Sequence, residues 1–514
     1  MVKVPQRSAL SVQKLGSLAA VRVSLRNALL ACTVLGLAAA TASAGAASVR
    51  HRTHRGSQVR TYSTRGTAPL ATALDDPWLF NNRGAHTETA FAMTRSAGAT
   101  YVRLPANWSA IAPSTRPPGF VATDPTSPGY SWAALDANVA AADAAGLTPI
   151  LDLQSVPQWA YAKRPQGVNA GTPKASALGQ FAAALATHYD GVTPSAHVFE
   201  VWNEPNVSIY LSPVSGSAYR GMVNAVADAV HAVDSKNIVV AGNLDPFGHP
   251  KSKKQKWNSV HPLAFMRSVF CVSKGKHPHR TCHATVHFDA WSHHPYTFNG
   301  PFGHARNSDD VTLGDLPRMR SLLRAGVRLH HVISRHPVKF WVTEFSWDTN
   351  PPRRHAAPTG LAARWTEEAF YQMWRSGVSL VTWFGLQDRG GKSPYQSGLF
   401  RHSASLEGAK AKPVRTAFRF PFVAYLKGGT VGTWGRDATS DQRLVTIQRR
   451  HGAHGHWKTV AKIRSNRLGI LKANLKLEAT KKDWLRATAS GSGTSLPFSL
   501  TRPSPKLRYG PWGN

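Results

Sequence analysis

The sequence predicts an α/β fold, namely a (β/α)8 TIM barrel followed by a small all-β, sandwich-like domain. From about residue 75, short apolar runs alternate with amphipathic stretches of helical period, a pattern typical of parallel strands joined by crossover helices. Eight such pairs precede residue 428, after which short alternating runs lie between turn residues. A length of 514 residues suits a barrel with appendages.

The predicted elements follow one another without a gap large enough for another domain. The eight strands are expected at 78–82, 101–104, 148–153, 197–202, 238–242, 288–292, 338–343 and 379–384. The helices between and after them are expected near 87–97, 133–145, 175–188, 216–233, 262–270, 315–334, 362–376 and 413–425. The runs 443–448, 457–463, 469–477 and 484–489 predict the strands of a domain over 429–514, which leaves 75–428 for the barrel.

The first 74 residues have the composition of an export signal and a linker. Five basic residues precede an apolar stretch at 28–40, and Ala42-Ser43-Ala44 has the small-x-small pattern of a cleavage site. We therefore predict a signal peptide over 1–44, a disordered linker over 45–74 and an extracellular location without stable membrane insertion. An uncleaved anchor is the alternative, although the apolar stretch is shorter than the roughly 20 residues of a membrane span.

The chain is strongly basic, with 62 Lys and Arg against 27 Asp and Glu and a net charge of +35. Two interpretations stay open: adhesion to an anionic cell-wall polymer, and a compositional bias without a partner. We expect no nucleic-acid partner, because the basic residues are scattered and no nucleic-acid motif accompanies them. In an exported protein, Cys271 and Cys282 predict one disulfide that closes a short loop.

Two glutamates directly follow apolar strands, where the active face of a barrel lies. Glu204 follows the predicted fourth strand, and Glu344 follows the seventh. Hydrolysis of a glycosidic bond with retention requires two carboxyl groups about 5–5.5 Å apart, of which one donates a proton and the other attacks the anomeric carbon. Because acidic residues are scarce in this chain, two of them at strand ends favour that chemistry over a pair of solvated carboxylates.

The segment Trp202-Asn203-Glu204-Pro205-Asn206 resembles the strand-four signature of glycoside hydrolase clan A, the retaining (β/α)8 glycosidases that include cellulases, β-mannanases and β-xylosidases. The resemblance covers residues 76 to about 426. It implies that Glu204 is the acid/base and that Asn203 binds the 2-hydroxyl of the sugar. Thr343-Glu344-Phe345-Ser346 resembles the strand-seven segment, which implies that Glu344 is the nucleophile.

Three further segments resemble motifs of the clan, and they occur in the same order along the chain as in the clan. Arg103 resembles the strand-two arginine that holds the nucleophile ionised. His294 and Tyr296 resemble the strand-six His-x-Tyr, in which the tyrosine donates to the nucleophile, and both are predicted to bind the substrate together with Arg103. Trp383 resembles the strand-eight tryptophan that forms the sugar platform of the −1 subsite. After the third strand, Gln154 and Ser155 stand where many members have a histidine.

The function predicted is that of a secreted retaining glycoside hydrolase acting on a polysaccharide or oligosaccharide, with no cofactor and no metal. His293, His294 and His304 could suggest a metal site, but the sequence offers them no acidic partner. The main alternative is a non-catalytic barrel that binds carbohydrate or cell wall. A second alternative is a glycosidase whose positive charge steers an acidic polymer to the site.

Overall fold

The computed structural model describes residues 59–512 except 67, 81–85, 164–169, 252–255, 392, 439–441 and 505–507. The predicted signal peptide and the first part of the predicted linker lie outside the described residues. Over the part of the chain that is described, no helix combines the length and the apolar character needed to cross a membrane.

Eight parallel strands close into a barrel, as the alternation of strands and helices predicts. Each strand pairs with the next along the chain, and the eighth pairs with the first. In chain order the strands are Ala71–Asp75, Tyr101–Asn107, Thr148–Gln154, Val198–Val201, Ile238–Leu244, Ala290–His293, Lys339–Val342 and Leu380–Phe384. The prediction of a first strand at 78–82 is wrong, because Trp78 lies in a turn and the first strand is Ala71–Asp75.

Helices cover the outside of the barrel and connect its strands. They are Thr87–Ser96, Trp108–Ile111, Ala133–Ala144, Ala175–Tyr189, Gly216–Val233, Pro262–Phe270, Leu316–Arg328, Thr359–Arg375 and Pro413–Arg419. The longest, Gly216–Val233, begins after Ser215, whose hydroxyl accepts a hydrogen bond from the backbone N–H of Ala218 as an N-cap. The two predicted helices 315–334 and 413–425 are shorter than expected, because each is followed by a strand, Val332–Ile333 and Phe422–Lys427.

Short strand pairs decorate the connections between these elements. Tyr161–Lys163 pairs with Thr172–Pro173, Val286–His287 with Val332–Ile333, and Thr349–Asn350 with Ala357–Pro358. The third pair belongs to the loop that follows the seventh barrel strand, on the face where Glu344 lies.

The interior of the barrel is arranged in layers that follow from the two-residue period of a strand. A lower layer is apolar and consists of Ala73, Ile150, Val198, Val240, Ala290, Trp341 and Leu380, with Tyr101 packed against it. Two residues further along, the first four strands carry the ionisable, buried side chains Asp75, Arg103, Asp152 and Glu200. The apolar layer therefore closes the bottom of the barrel, and a charged layer lies between it and the carboxyl-terminal end of the strands.

Two further sheets follow the barrel and confirm the predicted all-β region. The first is antiparallel and consists of Phe422–Lys427, Thr430–Arg436 and Ile470–Leu475. The second consists of Arg60–Ser63, Lys458–Arg464, Leu444–His451, Asp483–Ala489 and Gly493–Thr494, with Phe498–Ser499 paired to Asp483–Ala489.

Part of the predicted linker is ordered, which corrects the predicted domain boundaries. Residues Arg60–Ser63 form a strand that pairs in parallel with Lys458–Arg464, so the chain enters the C-terminal sheet before it begins the barrel. The linker prediction for 45–74 is therefore wrong for 60–63 and 71–74. The β region also begins earlier than residue 429, because its first strand starts at Phe422. Local composition missed the strand at 60–63, because its partner lies about 400 residues away.

The predicted disulfide joins Cys271 and Cys282, which are 11 residues apart. Cys271 ends the helix Pro262–Phe270 in a left-handed conformation, and its carbonyl accepts a hydrogen bond from the N–H of Thr281 at 2.8 Å. The disulfide therefore closes a loop that backbone hydrogen bonds already hold together.

Replacing both cysteines by serine (C271S/C282S) is expected to lower the free energy of unfolding by about 2–3 kcal/mol, because the unfolded chain regains the entropy of an open loop. Urea unfolding curves measure the difference. The wild-type chain with its disulfide reduced serves as the control and should unfold at the same midpoint as the double variant. Identical midpoints for the oxidised wild type and the double variant would contradict the prediction.

Candidate active site

The backbone after the fourth barrel strand is bent so that Glu204 faces the barrel axis. Trp202 and Glu204 both have left-handed backbone angles, with φ of 69° and 42°, which non-glycine residues adopt at a cost. Hydrogen bonds hold this conformation: the N–H of Glu204 donates to the carbonyl of Asn243 at 3.0 Å, and the Asn243 amide donates to the carbonyl of Trp202 at 2.7 Å. The fifth strand thus holds the end of the fourth in place.

Glu344 lies two residues after the seventh strand and receives two hydrogen bonds. Arg103 Nη1 donates to its Oε1 at 2.9 Å, and the hydroxyl of Tyr296 donates to its Oε2 at 3.1 Å. Both donors favour the ionised carboxylate. Tyr296 is itself buried, and burial beside two carboxyls raises the pKa of its hydroxyl, so that it stays a donor.

Arg103 binds three further carboxylates within the charged layer. Its guanidinium donates to Asp75 at 2.8 Å, to Asp152 at 3.0 Å and to Glu200 at 2.5 Å. Burial raises the pKa of all three carboxyls, and the Arg103 charge lowers it again. Because one cation faces four carboxyl groups, their mutual repulsion adds to the effect of burial in raising the pKa of these carboxyls.

The carboxyl groups of Glu204 and Glu344 lie next to each other. Together with His294 they form a group in which one oxygen or nitrogen atom of each side chain lies within 4.8 Å of the others. Burial raises the pKa of both carboxyls to about 7, and the two groups titrate as a pair. Since Arg103 and Tyr296 donate to Glu344, the shared proton is held preferentially by Glu204.

His294 lies behind Glu204 and carries no charge near neutral pH. Its Nδ1 is 2.9 Å from Glu204 Oε1. Burial lowers the pKa of the imidazole to about 4. A neutral ring orients the carboxyl of Glu204 through a hydrogen bond without adding a positive charge that would ionise it.

Both carboxyl groups line a cavity of about 740 Å³ at the carboxyl-terminal end of the barrel. Aromatic side chains stand on two sides of it. Trp78, Phe384 and Tyr395 form one wall, with ring centroids 5.4–5.6 Å apart, and Arg389 lies 4.0 Å from the Trp78 ring. Phe298 and Trp512, with ring centroids 6.4 Å apart, form a second aromatic wall.

The structure brings six of the seven predicted site residues into hydrogen-bonded contact around the two carboxyls. Asn203 joins them through its Oδ1, which accepts from Arg103 Nη2 at 3.0 Å. Five line the cavity, namely Arg103, Asn203, Glu204, Tyr296 and Glu344. His294 is fully buried and contacts Glu204, so its predicted contact with substrate is replaced by a contact with a carboxyl group.

Trp383 differs from the prediction of a sugar platform. Its side chain is 0 % exposed, its ring packs edge-on against Phe345, and its indole N–H donates to the carbonyl of Ser397 at 2.9 Å. The neighbouring Phe384 lines the cavity instead. Successive side chains of a strand point to opposite faces, so a one-residue difference in register moves the indole from the cavity into the surrounding core.

The side chains of Glu204, His294 and Glu344 also have a spacing that a metal ion could use. A cation bound there would face the Arg103 guanidinium, which is 2.9 Å from Glu344, and would displace its hydrogen bonds. We therefore interpret the group as an acid–base pair. The other two candidate ligands bond elsewhere, His293 to the carbonyl of Val311 and His304 to Asp315.

Several residues of the site escaped the sequence analysis. Asp75, Asp152 and Glu200 could have been found, because each is an acidic residue within or at the end of an apolar strand in a chain poor in acids. Asp245 lines the cavity beside Glu204, and burial raises the pKa of its carboxyl. No local sequence pattern assigned Trp512 to the site, because this residue lies about 130 residues beyond the last barrel strand.

Part of the chain is similar in sequence to a family of glycosyl hydrolases. The sequence model of the cellulase family (glycosyl hydrolase family 5) matches residues 52–302, a range that includes Glu204 and ends before Glu344. No curated protein sequence matches the chain.

Among solved structures, the chain is similar to a family 39 glycoside hydrolase from Bacteroides cellulosilyticus WH2, at 16 % identity over 79 % of each chain with a TM-score of 0.47. It is similar to a monomeric β-xylosidase from Caulobacter crescentus CB15, at 17 % identity over 76 % of this chain and 86 % of that one, TM-score 0.47. It is also similar to a GH30 endoxylanase from Clostridium papyrosolvens C71, at 10 % identity over 84 % of this chain and 97 % of that one, with a TM-score of 0.42.

Replacing Arg103 by methionine (R103M) is expected to lower the free energy of unfolding by about 3–5 kcal/mol at pH 8, because buried carboxylates lose their cation. Without the guanidinium, the native-state pKa of these carboxyls rises further above the unfolded value. The lost stability is then largest at high pH and partly recovered as protonation becomes favourable, so the deficit should be smaller at pH 5.

Urea unfolding of R103M and wild type at the two pH values tests this expectation. Arg116→Met is a matched control, because Arg116 is exposed and lies over Trp159. An equal loss of stability at pH 5 and pH 8 would argue against the charged layer as its cause.

Proposed function

We propose that this chain, a (β/α)8 barrel, is a glycosidase of clan A that hydrolyses O-glycosidic bonds of a polysaccharide or oligosaccharide with retention of configuration. One observation carries the proposal: a carboxylate oxygen of Glu204 lies within 4.8 Å of a carboxylate oxygen of Glu344, and both residues line one cavity. That separation suits direct attack by one carboxylate, whereas an inverting pair needs about 6.5–9.5 Å to admit a water molecule between carboxyl and sugar.

In the first step, the Glu344 carboxylate attacks the anomeric carbon and the bond to the leaving oxygen breaks. Glu204 transfers its proton to that oxygen, so the leaving group departs as an alcohol. Arg103 and Tyr296 hold the attacking carboxylate in position through their hydrogen bonds. Asn203 has its amide oxygen occupied by Arg103, which leaves its NH₂ group for the 2-hydroxyl of the sugar.

In the second step, water attacks the same carbon of the glycosyl ester, and Glu344 leaves as a carboxylate. Glu204, now ionised, takes the proton from that water and returns to its starting form. The reaction therefore needs a carboxyl whose pKa lies near the working pH, and burial supplies it for Glu204. The neutral His294 beside it leaves both protonation states accessible.

We also propose that the protein acts outside the cell. The basic and apolar pattern of residues 1–44 supports export. The disulfide between Cys271 and Cys282 suits an oxidising compartment. The net charge of +35 favours retention at an anionic cell wall after export.

Glu344→Gln is expected to lower kcat/KM on an aryl glycoside by a factor of about 10³ or more, because an amide does not form the glycosyl ester. Glu204→Ala should retain the first step on a substrate with a good leaving group, and sodium azide should restore turnover and yield a glycosyl azide of the original configuration. Rates and NMR of the first product measure both effects.

Glu478→Gln is the matched control for these variants, because Glu478 is exposed and lies in the β region. It should behave as wild type. Full activity of the Glu344→Gln variant would show that a group other than Glu344 attacks the anomeric carbon, and a wild-type chain without any turnover would favour a barrel that only binds carbohydrate. An inverted first product would exclude double displacement.

The pH dependence of kcat/KM is expected to fall on its alkaline side above about pH 7, because burial raises the pKa of Glu204 to about 7 and the reaction needs this carboxyl protonated. The acid side should belong to Glu344, which must be ionised. On a substrate with a good leaving group, Glu204→Ala should lose the alkaline limb and keep the acid limb. An alkaline limb that persists in this variant would assign it to another residue.

A further inference from the structure

Residues 508–512 return from the C-terminal β region to the mouth of the barrel. The N–H of Asn299 donates to the carbonyl of Tyr509 at 3.0 Å, and the N–H of Asp348 donates to the carbonyl of Pro511 at 2.7 Å. Asn299 and Asp348 lie in the loops after the sixth and seventh barrel strands. Gly510 and Pro511 are buried, so this segment is built into the active face of the barrel.

The segment ends with Trp512 beside the catalytic pair. The Trp512 ring lies 5.2 Å from the Tyr296 ring at an angle of 43°, and 6.4 Å from the Phe298 ring. Tyr296 in turn donates to Glu344, so one aromatic side chain separates Trp512 from the proposed nucleophile. Trp512 is half-buried and lines the same cavity as Glu204 and Glu344.

We propose that Trp512 forms the platform of a sugar-binding subsite next to the reacting sugar, so that a segment outside the barrel helps to select the substrate. This inference rests on the proposed glycosidase function. An indole packs well against the apolar face of a pyranose ring and offers a large rigid surface at a low cost in conformational entropy. The ligand expected is a neutral oligosaccharide chain that extends beyond the reacting unit.

The two aromatic walls of the cavity indicate on which side of the nucleophile this subsite lies. Glu344 follows the seventh strand, Tyr296 and Phe298 follow the sixth, and Phe384 ends the eighth beside Trp78. The nucleophile therefore lies between the wall that includes Trp512 and the wall formed by Trp78, Phe384 and Tyr395. A sugar chain bound across the cavity can contact one wall on either side of the reacting bond.

A structural role for Trp512 has different consequences. If its ring only anchors the segment 508–512, its removal lowers the unfolding temperature and affects all substrates alike. If it binds a sugar ring, its removal raises KM for substrates long enough to reach it and leaves short substrates unaffected. The split between long and short substrates therefore separates the two roles.

The test uses cellotetraose, xylotetraose and mannotetraose, together with the 4-nitrophenyl monoglycosides of the same sugars. Trp512→Ala is expected to lower kcat/KM at least tenfold on the tetrasaccharide that the wild type cleaves fastest, mainly through KM, and to change the monoglycoside rates less than twofold. Trp512→Phe should recover activity to within threefold of wild type. Trp484→Ala is the control, because Trp484 is also half-buried but lies in the β region beside Arg450.

A binding measurement makes the subsite testable separately from catalysis. In the Glu344→Gln background, isothermal titration with the same tetrasaccharides should show at least tenfold weaker binding when Trp512→Ala is added. Three outcomes would overturn the subsite. They are unchanged binding and kinetics in the Trp512→Ala variant, an equal loss of kcat/KM on monoglycosides and tetrasaccharides, and no binding of any tetrasaccharide. A wild-type chain that binds a tetrasaccharide through Trp512 but cleaves none of these substrates would overturn the proposed hydrolysis and leave the subsite standing.

Discussion

Arg103 lies inside the carboxyl-terminal end of the barrel, where its guanidinium donates to Asp75, Asp152, Glu200 and Glu344. These carboxyls come from four different strands or strand ends, so one cation ties the first, third, fourth and seventh strands to the second. A buried arginine without carboxylates, or the carboxylates without it, would carry a large desolvation cost. The active face therefore depends on all members of this cluster being present together.

The same cluster makes the two proposed catalytic carboxyls unequal. Glu344 accepts hydrogen bonds from Arg103 and Tyr296, which favour its negative charge. Burial raises the pKa of both carboxyls to about 7, and Glu204, which faces the neutral imidazole of His294, keeps the proton more readily because those donors favour ionisation of Glu344. Two residues of the same type thus acquire the opposite roles of nucleophile and acid through their different surroundings.

The β region is part of the same structural unit as the barrel. Its strand Thr430–Arg436 carries Trp434, which packs against Tyr371 of a barrel helix, and Arg436, which donates to the carbonyl of Leu70 just before the first barrel strand. The segment 508–512 then carries Trp512 back to the cavity. This region therefore contributes to the lining of the cavity through the side chain of Trp512.

The sequence by itself determined the barrel, the strand ends that carry Glu204 and Glu344, and the disulfide, because these depend on residue periods and motifs within short stretches of chain. Tertiary structure decided the strand at 60–63, the burial of Trp383, the sharing of Arg103 among four carboxyls and the position of Trp512. Each of these depends on strand register or on contacts between residues far apart in the chain. A periodic pattern shows that a side chain faces inward or outward, but not which distant group it meets.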